Sequence, residues 1–244
     1  MRVTLNGIVA ADDDVEVYEW FGWQAFGPKL VRDAIANAPP GEDLVLEINS
    51  PGGSVMAGSE IYSVLRSAEN VHTRAEIQSM AASAASYLCL GCDEVWISPV
   101  AQMMLHLPAT STDGNRTDHL RSVQMLDATR EAIINAYELR AAGKADRAQF
   151  RRLMNAETWL TAQEAVELGL ADGVLYTEET VLPQDIVNAV GGGIRALGAS
   201  GGIPDIAAMR AEYRKNYRQE PEPENHHNDW RDKARLELEK LRFL

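Results

Sequence analysis

Hydrophobic and polar positions change period several times along the first 180 residues. Arg2 to Val9 alternates in part and predicts a short strand. Phe26 to Ala38 takes helical spacing and is stopped by Pro39-Pro40-Gly41. Leu44 to Ile48 predicts a second strand, ended by Asn49-Ser50-Pro51-Gly52-Gly53. Val55 to Ala68 returns to helical spacing, with Val55, Ile61, Val64 and Leu65 as its apolar positions. Val71 to Ile77 predicts another strand. Ala81 to Leu90 predicts a small-residue helix that Gly91 can cap. Val95 to Ile97 and Met103 to Leu105 predict two more short strands. Strand and helix thus alternate repeatedly, which predicts a layered α/β fold with a largely parallel sheet.

Asn115 to Ala142 lacks Gly and Pro and spaces Leu120, Val123, Leu126, Ile133, Ile134 and Tyr137 as a helix does. A helix of about 25 residues would span roughly 38 Å. Such a helix either projects to meet another subunit or lies across its own sheet. Thr161 to Leu168 predicts a further helix, ended by Gly169. The pattern changes near residue 180. Gly191-Gly192-Gly193, Gly198 and Gly201-Gly202 predict a flexible stretch, and Gln219 to Glu224 an extended Pro/Glu spacer. Trp230, Ala234, Leu238 and Leu241 then form one apolar stripe. The expected organisation is a body over residues 1–179, a Gly/Pro-rich linker over 180–227 and an amphipathic helix over 228–244.

The formal charge of −13 lies entirely in residues 1–179, because acidic and basic residues balance in the remainder. An acidic body argues against nucleic acid as its main partner. No apolar run approaches the roughly 18 residues of a membrane span, and the N-terminus lacks a basic start and apolar core. Neither a membrane nor a secretory route is expected, and the cytoplasm is the expected location. The two cysteines, Cys89 and Cys92, lie in CLGC without a second pair that would complete a zinc site. They are expected to be inert, with no metal and no cofactor.

Candidate chemistry begins at Ser79-Met80-Ala81-Ala82-Ser83-Ala84, between a predicted strand and a predicted helix. A serine at such a junction can stand at the top of a sheet, beside unpaired helix N–H groups. Small neighbours permit the tight turn, though Ser79 and Ser86 are rival hydroxyls. Gly52-Gly53 after a strand leaves backbone N–H groups unshielded, as an oxyanion site requires. A serine also needs a base. Residues 1–179 hold His72, His106 and His119. His106 ends an apolar strand, where α/β folds display functional groups, and is the best placed. Composition does not choose the acid that would orient it. A Ser–Lys dyad is the competing arrangement, but Lys29 sits near a helix start and Lys144 in a polar stretch, and neither is flanked as a buried, pKa-depressed lysine needs.

Taken in order, EINSPGGSVMAGSEIY (47–62), SMAASAASYL (79–88), MMLHLP (103–108) and ETWLTAQEAVELGLADGV (157–174) resemble the ClpP-type serine peptidases over roughly residues 1–178. The wording is most similar to the ClpP-like head maturation (prohead) proteases of tailed phages. The resemblance implies a ClpP/crotonase-like layered spiral of βαβ units, with residues 115–142 as a projecting handle helix. It implies Ser83 as nucleophile, His106 as base, and the Gly53 and Ala84 amides as the oxyanion hole. The family's third member is an aspartate; the matching position here is Glu157, with Asp172 as the alternative acid. The family forms homo-oligomeric rings that stack around a chamber and cut protein substrates, here a capsid or scaffold protein. Loops that dock an unfoldase ATPase are not evident, so no such partner is expected. Two other readings share these features. One is a ring-forming assembly protein without catalysis. The other is a crotonase-like acyl-CoA enzyme, which would use a carboxylate base and ignore Ser83.

Overall fold

Long-range parallel pairing governs the architecture of the computed structural model, which describes residues 1–177 and 205–217. The first strand, β1 (Arg2–Val9), pairs in parallel with β2 (Ala25–Phe26) and with β3 (Leu44–Gly53). β3 pairs with β4 (Thr73–Ala82), β4 with β5 (Glu94–Ile97), and β5 with β8 (Gly173–Val174), all in parallel. The strand order is β2-β1-β3-β4-β5-β8. Parallel neighbours need crossovers, and helices supply them. These include α1 (Asp12–Trp20), α2 (Pro28–Asn37) and α3 (Val55–Arg66), then the short α4 (Ala84–Leu88).

The core follows from the period-two pattern. Along β3 every second residue is buried, from Leu44 through Leu46 and Ile48 to Ser50 and Gly52. Val31 and Ala34 of α2, Ile61 and Leu65 of α3, and Leu88 of α4 belong to the same apolar cluster. Ser54 caps α3 by accepting the Ala57 N–H at 3.3 Å.

Ten residues long, β4 changes partner midway. Arg74 to Ile77 pair with β5, whereas Met80 to Ala82 pair with β6 (Gln102–Leu105). β6 pairs on its other side with the antiparallel β7 (Thr158–Thr161). The end of β4 stays paired with β3, where Ser50 lies opposite Ala81, so the fork changes its neighbour on one side only.

A capping box of Asn115 and Asp118 starts α5 (Arg116–Ala141), a helix of 26 residues. Its buried residues, Ile133, Ile134, Ala136, Tyr137 and Ala141, all lie in the second half. In the first half Leu120, Val123 and Met125 are exposed, so that half projects as the handle-helix expectation required. The base of α5 is clamped to α6 (Arg147–Asn155), where Glu131 binds Arg147 and Arg151. A second capping box, Thr161 with Glu164, starts α7 (Ala162–Glu167).

Several boundaries differ from the sequence expectation. β3 runs on through Gly53, and β4 runs to Ala82, so the helix expected from Ala81 begins at Ala84. α1 was not expected. Its buried side chains, Asp14, Val17 and Tyr18, do not form an apolar stripe at helical spacing. α6, β7 and β8 were also not expected, being short or predominantly polar. In the stretch read as linker, Ile206–Tyr217 forms a helix, α8, because Ala207, Ala208, Met209 and Ala211 are good helix formers. The expected helix over 228–244 lies outside the described residues. Among the described residues no helix is long and apolar enough to cross a membrane.

Candidate active site

Strand register brings three distant residues to one place. Ala82 at the end of β4 lies opposite Met104 of β6, and the next N–H, that of Ser83, donates to the Met104 carbonyl at 2.9 Å. His106 follows directly on β6. β6 and β7 are antiparallel with Leu105 opposite Thr158. One further step along that ladder sets Glu157 across from His106. The expected Ser83, His106 and Glu157 therefore occupy the adjoining ends of three neighbouring strands.

Ser83 Oγ and His106 Nε2 are 2.6 Å apart. Ser83 has φ 54° and ψ −122°, a conformation rare for a residue with a side chain. It costs of order 1–3 kcal/mol and persists only where its surroundings enforce it. The Met104 carbonyl holds the Ser83 N–H. The Ser83 carbonyl in turn accepts the Ser86 N–H at 3.0 Å and the Ser86 hydroxyl at 2.6 Å. The rivals are thereby separated: Ser86 is fully buried and committed to backbone, and Ser79 sits exposed on β4.

The glycine pair lies against this turn. Gly52 has φ +93°, and a Cβ there would sit 2.6 Å from Ser83 Cβ and 2.9 Å from the Ala84 nitrogen. At Gly53 a Cβ would meet the Val9 carbonyl oxygen at 2.2 Å. Val9 is opposite Gly53, and its carbonyl accepts the Ser54 N–H at 2.7 Å. By the alternation of a parallel ladder, the Gly53 N–H points away from β1. Ala84 opens α4, where the first N–H groups have no acceptor within the helix. Tyr87 fastens the two segments, donating its hydroxyl to the Val55 carbonyl at 2.9 Å.

Burial holds the His106 pKa below the ordinary imidazole value, and the charge of Glu157 acts in the opposite direction. Glu157 is exposed, with φ 49°, and its N–H donates to the Met154 carbonyl at 3.2 Å. Among the described residues no hydrogen bond or ion pair joins it to His106, so its influence is through space.

Asp172, the alternative acid, is engaged elsewhere. Its carboxylate accepts the Val95 N–H at 2.7 Å and binds Arg140, which fixes the approach to β8. His72 lies between Asp93 and Glu94 at 3.6 and 3.7 Å, and His119 is exposed on α5. Lys29 pairs with Asp33, and Lys144 reaches the Val166 carbonyl at 3.4 Å. Neither lysine serves Ser83. Cys89 and Cys92 are buried free thiols, and burial pushes Cys89 up to about 12. Sequence reasoning found the Gly52-Gly53 pair but missed Tyr87 and Tyr137, and it read Ser86 only as a rival. Neither tyrosine left a local signal.

The Clp protease family model matches residues 33–178. The ATP-dependent Clp protease proteolytic subunit 1 of Chlamydia abortus is 32% identical over 142 residues, covering 57% of this chain and 72% of that protein. The protein of the same name from Protochlamydia amoebophila is 33% identical over 147 residues, covering 58% and 69%. That of Frankia casuarinae is 29% identical over 193 residues, covering 74% and 90%.

Proposed function

The chain belongs to the Clp protease family, and from that membership we propose that it is a serine endopeptidase in which Ser83 is the nucleophile. The observation that carries the reading is the 2.6 Å approach of Ser83 Oγ to His106 Nε2 at a strained strand-to-helix turn. His106 takes the hydroxyl proton while Ser83 Oγ bonds to the scissile carbonyl carbon. The negative charge that moves onto the carbonyl oxygen is met by the N–H groups of Gly53 and Ala84. His106 then gives its proton to the departing amine, leaving an acyl-serine. A water, deprotonated by His106, cleaves that ester and restores the Ser83 hydroxyl. Glu157 favours the imidazolium that forms at each proton transfer, as its charge on His106 indicates.

The finer assignment is part of the same proposal. The protein acts as a homo-oligomeric ring, with the exposed Leu120, Val123 and Met125 of α5 in a subunit contact. It cleaves a capsid or scaffold protein during phage head maturation, in the host cytoplasm or procapsid. Its cleavage of short peptides needs no ATP-driven unfoldase. Residues 1–179 carry the chemistry, and residues 180–244, beyond the family match, bear on assembly. What supports the phage assignment is the wording of the four segments that resemble head maturation proteases.

The test is labelling with a fluorophosphonate probe, followed by intact mass, in the wild type and in the Ser83→Ala and His106→Ala variants. Labelling of the wild type alone is expected. A folded, assembled wild type that takes no label would refute the peptidase. It would favour a ring-forming assembly protein, a reading that the exposed Glu157, with no bond to His106 among the described residues, also suits.

A further inference from the structure

The turn that presents Ser83 is held by a hydrogen-bond chain reaching into α5. Ser86 Oγ lies 2.6 Å from the Ser83 carbonyl oxygen and 2.6 Å from the Tyr137 hydroxyl. A serine hydroxyl has one proton, and a carbonyl can only accept. The Ser86 proton is therefore committed to the Ser83 carbonyl. The second contact must run the other way, with Tyr137 donating to Ser86. The chain has one direction: Tyr137 O–H to Ser86 Oγ, Ser86 O–H to Ser83 C=O.

Both hydroxyls sit in the core, where Ser86 is 0% and Tyr137 1% exposed. Burial raises the Tyr137 pKa, so its phenol keeps the proton that it donates. The ring is fixed by stacking on Phe150 of α6, with centroids 5.4 Å apart. Tyr137 is thus a rigid donor supplied by the helix pair α5–α6, and α6 leads directly to Glu157.

We propose that Ser86 and Tyr137 are positioning residues for the nucleophile: they hold the Ser83 carbonyl so that the strained turn keeps Oγ aimed at His106. The proposal rests on Ser83 being the nucleophile. The Ser86 N–H already binds the same carbonyl, as any first helical turn would provide. The added hydroxyl and its buried donor exceed what the helix alone needs. Bonds in such a chain polarise one another, so each strengthens the next.

The test uses the full chain, the fluorophosphonate probe and four variants: Tyr137→Phe, Ser86→Ala, the double variant, and Ser83→Ala. Tyr137→Phe keeps the ring and its stacking on Phe150, so it preserves the fold even where Ser86→Ala costs stability. Thermal melting and circular dichroism define the folded fraction. Saturation kinetics per folded molecule separate the maximal labelling rate from the probe's half-saturation concentration. The maximal rate is expected to fall about tenfold in Ser86→Ala, the rate equivalent of one hydrogen bond, and about threefold in Tyr137→Phe. The half-saturation concentration stays unchanged. The double variant should label at the rate of Ser86→Ala, because Tyr137 acts only through Ser86. Wild-type maximal rates in folded Tyr137→Phe and Ser86→Ala overturn the inference while leaving the peptidase intact, provided that Ser83→Ala abolishes labelling. Additive losses in the double variant overturn the relay. An unlabelled wild type overturns the peptidase reading and this inference with it.

Discussion

Replacing Gly52 with alanine tests whether the glycine pair exists to let backbone approach the nucleophile. The new Cβ would lie 2.6 Å from Ser83 Cβ, 2.7 Å from the Ala82 carbonyl oxygen and 2.9 Å from the Ala84 nitrogen. Carbon atoms settle at about 3.5–4.0 Å, so Ser83 must retreat by about 1 Å. None of the three neighbours is a flexible side-chain end; two are backbone and the third is the Ser83 Cβ itself. A misplacement of about 1 Å at a reacting group costs on the order of 10²-fold in rate. The backbone adds its own strain, since φ at Gly52 is +93°. Left-handed strain of about 1–2 kcal/mol and overpacking of about 1–3 kcal/mol give a loss of about 3 kcal/mol. For a chain of this size, that lowers Tm by roughly 6–12 °C. Gly41→Ala is the control: its φ is +81°, but nothing lies within 4 Å of the added Cβ. It should lose a little stability and no rate. The assay is the fluorophosphonate labelling rate per folded molecule, with Tm measured alongside. If folded Gly52→Ala labels within about threefold of wild type, the close approach to Ser83 is not what the glycine serves.

Four further outcomes are expected. His106 must be neutral to accept a proton, and burial places its pKa below the ordinary 6.5. The labelling rate should therefore rise with pH and level off early, with its acidic limb below that value. Glu157→Gln removes the charge that raises the His106 pKa, so the limb moves to still lower pH and the plateau falls by about tenfold or more. A limb that stays in place or moves upward would exclude Glu157 from this role. Asp172→Asn removes the charge from the bond to the Val95 N–H and from the pair with Arg140. It should cost about 1–2 kcal/mol, roughly 2–8 °C in Tm, at an unchanged labelling rate per folded molecule. Cys89 and Cys92 should resist iodoacetamide in the native protein and react only after unfolding, as peptide mass mapping can report; rapid native alkylation would contradict their burial.

Much of the fold was legible because its signals are local. The alternation of Leu44 to Ile48, the helical stripe of α3 and the unbroken pattern of α5 each span a few turns or strand pairs. Elements whose apolar residues do not fall on one stripe escaped notice. In α1 the buried Val17 and Tyr18 are adjacent, and α6 has only Phe150 and Met154 buried amid arginines. Asp146 caps α6 by accepting the Gln149 N–H at 2.7 Å, and Arg147 and Arg151 tie it to Glu131, a residue in another helix. No window centred on α6 contains that partner.

At the site, the sequence alone settled the residue types. It held a serine with small neighbours at a strand-to-helix junction, a glycine pair after a strand, and a histidine closing an apolar strand. It also held four segments in the order of the Clp protease family. The tertiary structure decided which of these meet. Ser83 was separated from Ser79 and Ser86 by a left-handed backbone and by burial, neither of which composition encodes. The antiparallel register of β6 and β7 sets Glu157 across from His106, whereas Asp172 is held by Arg140 and the Val95 N–H. Tyr137 entered the site only because α5 packs behind α4. Residue chemistry and short-range periodicity are properties of neighbours in the chain. Strand register and helix packing are set by free energies summed over contacts between distant segments, and those sums exist only once the chain has folded.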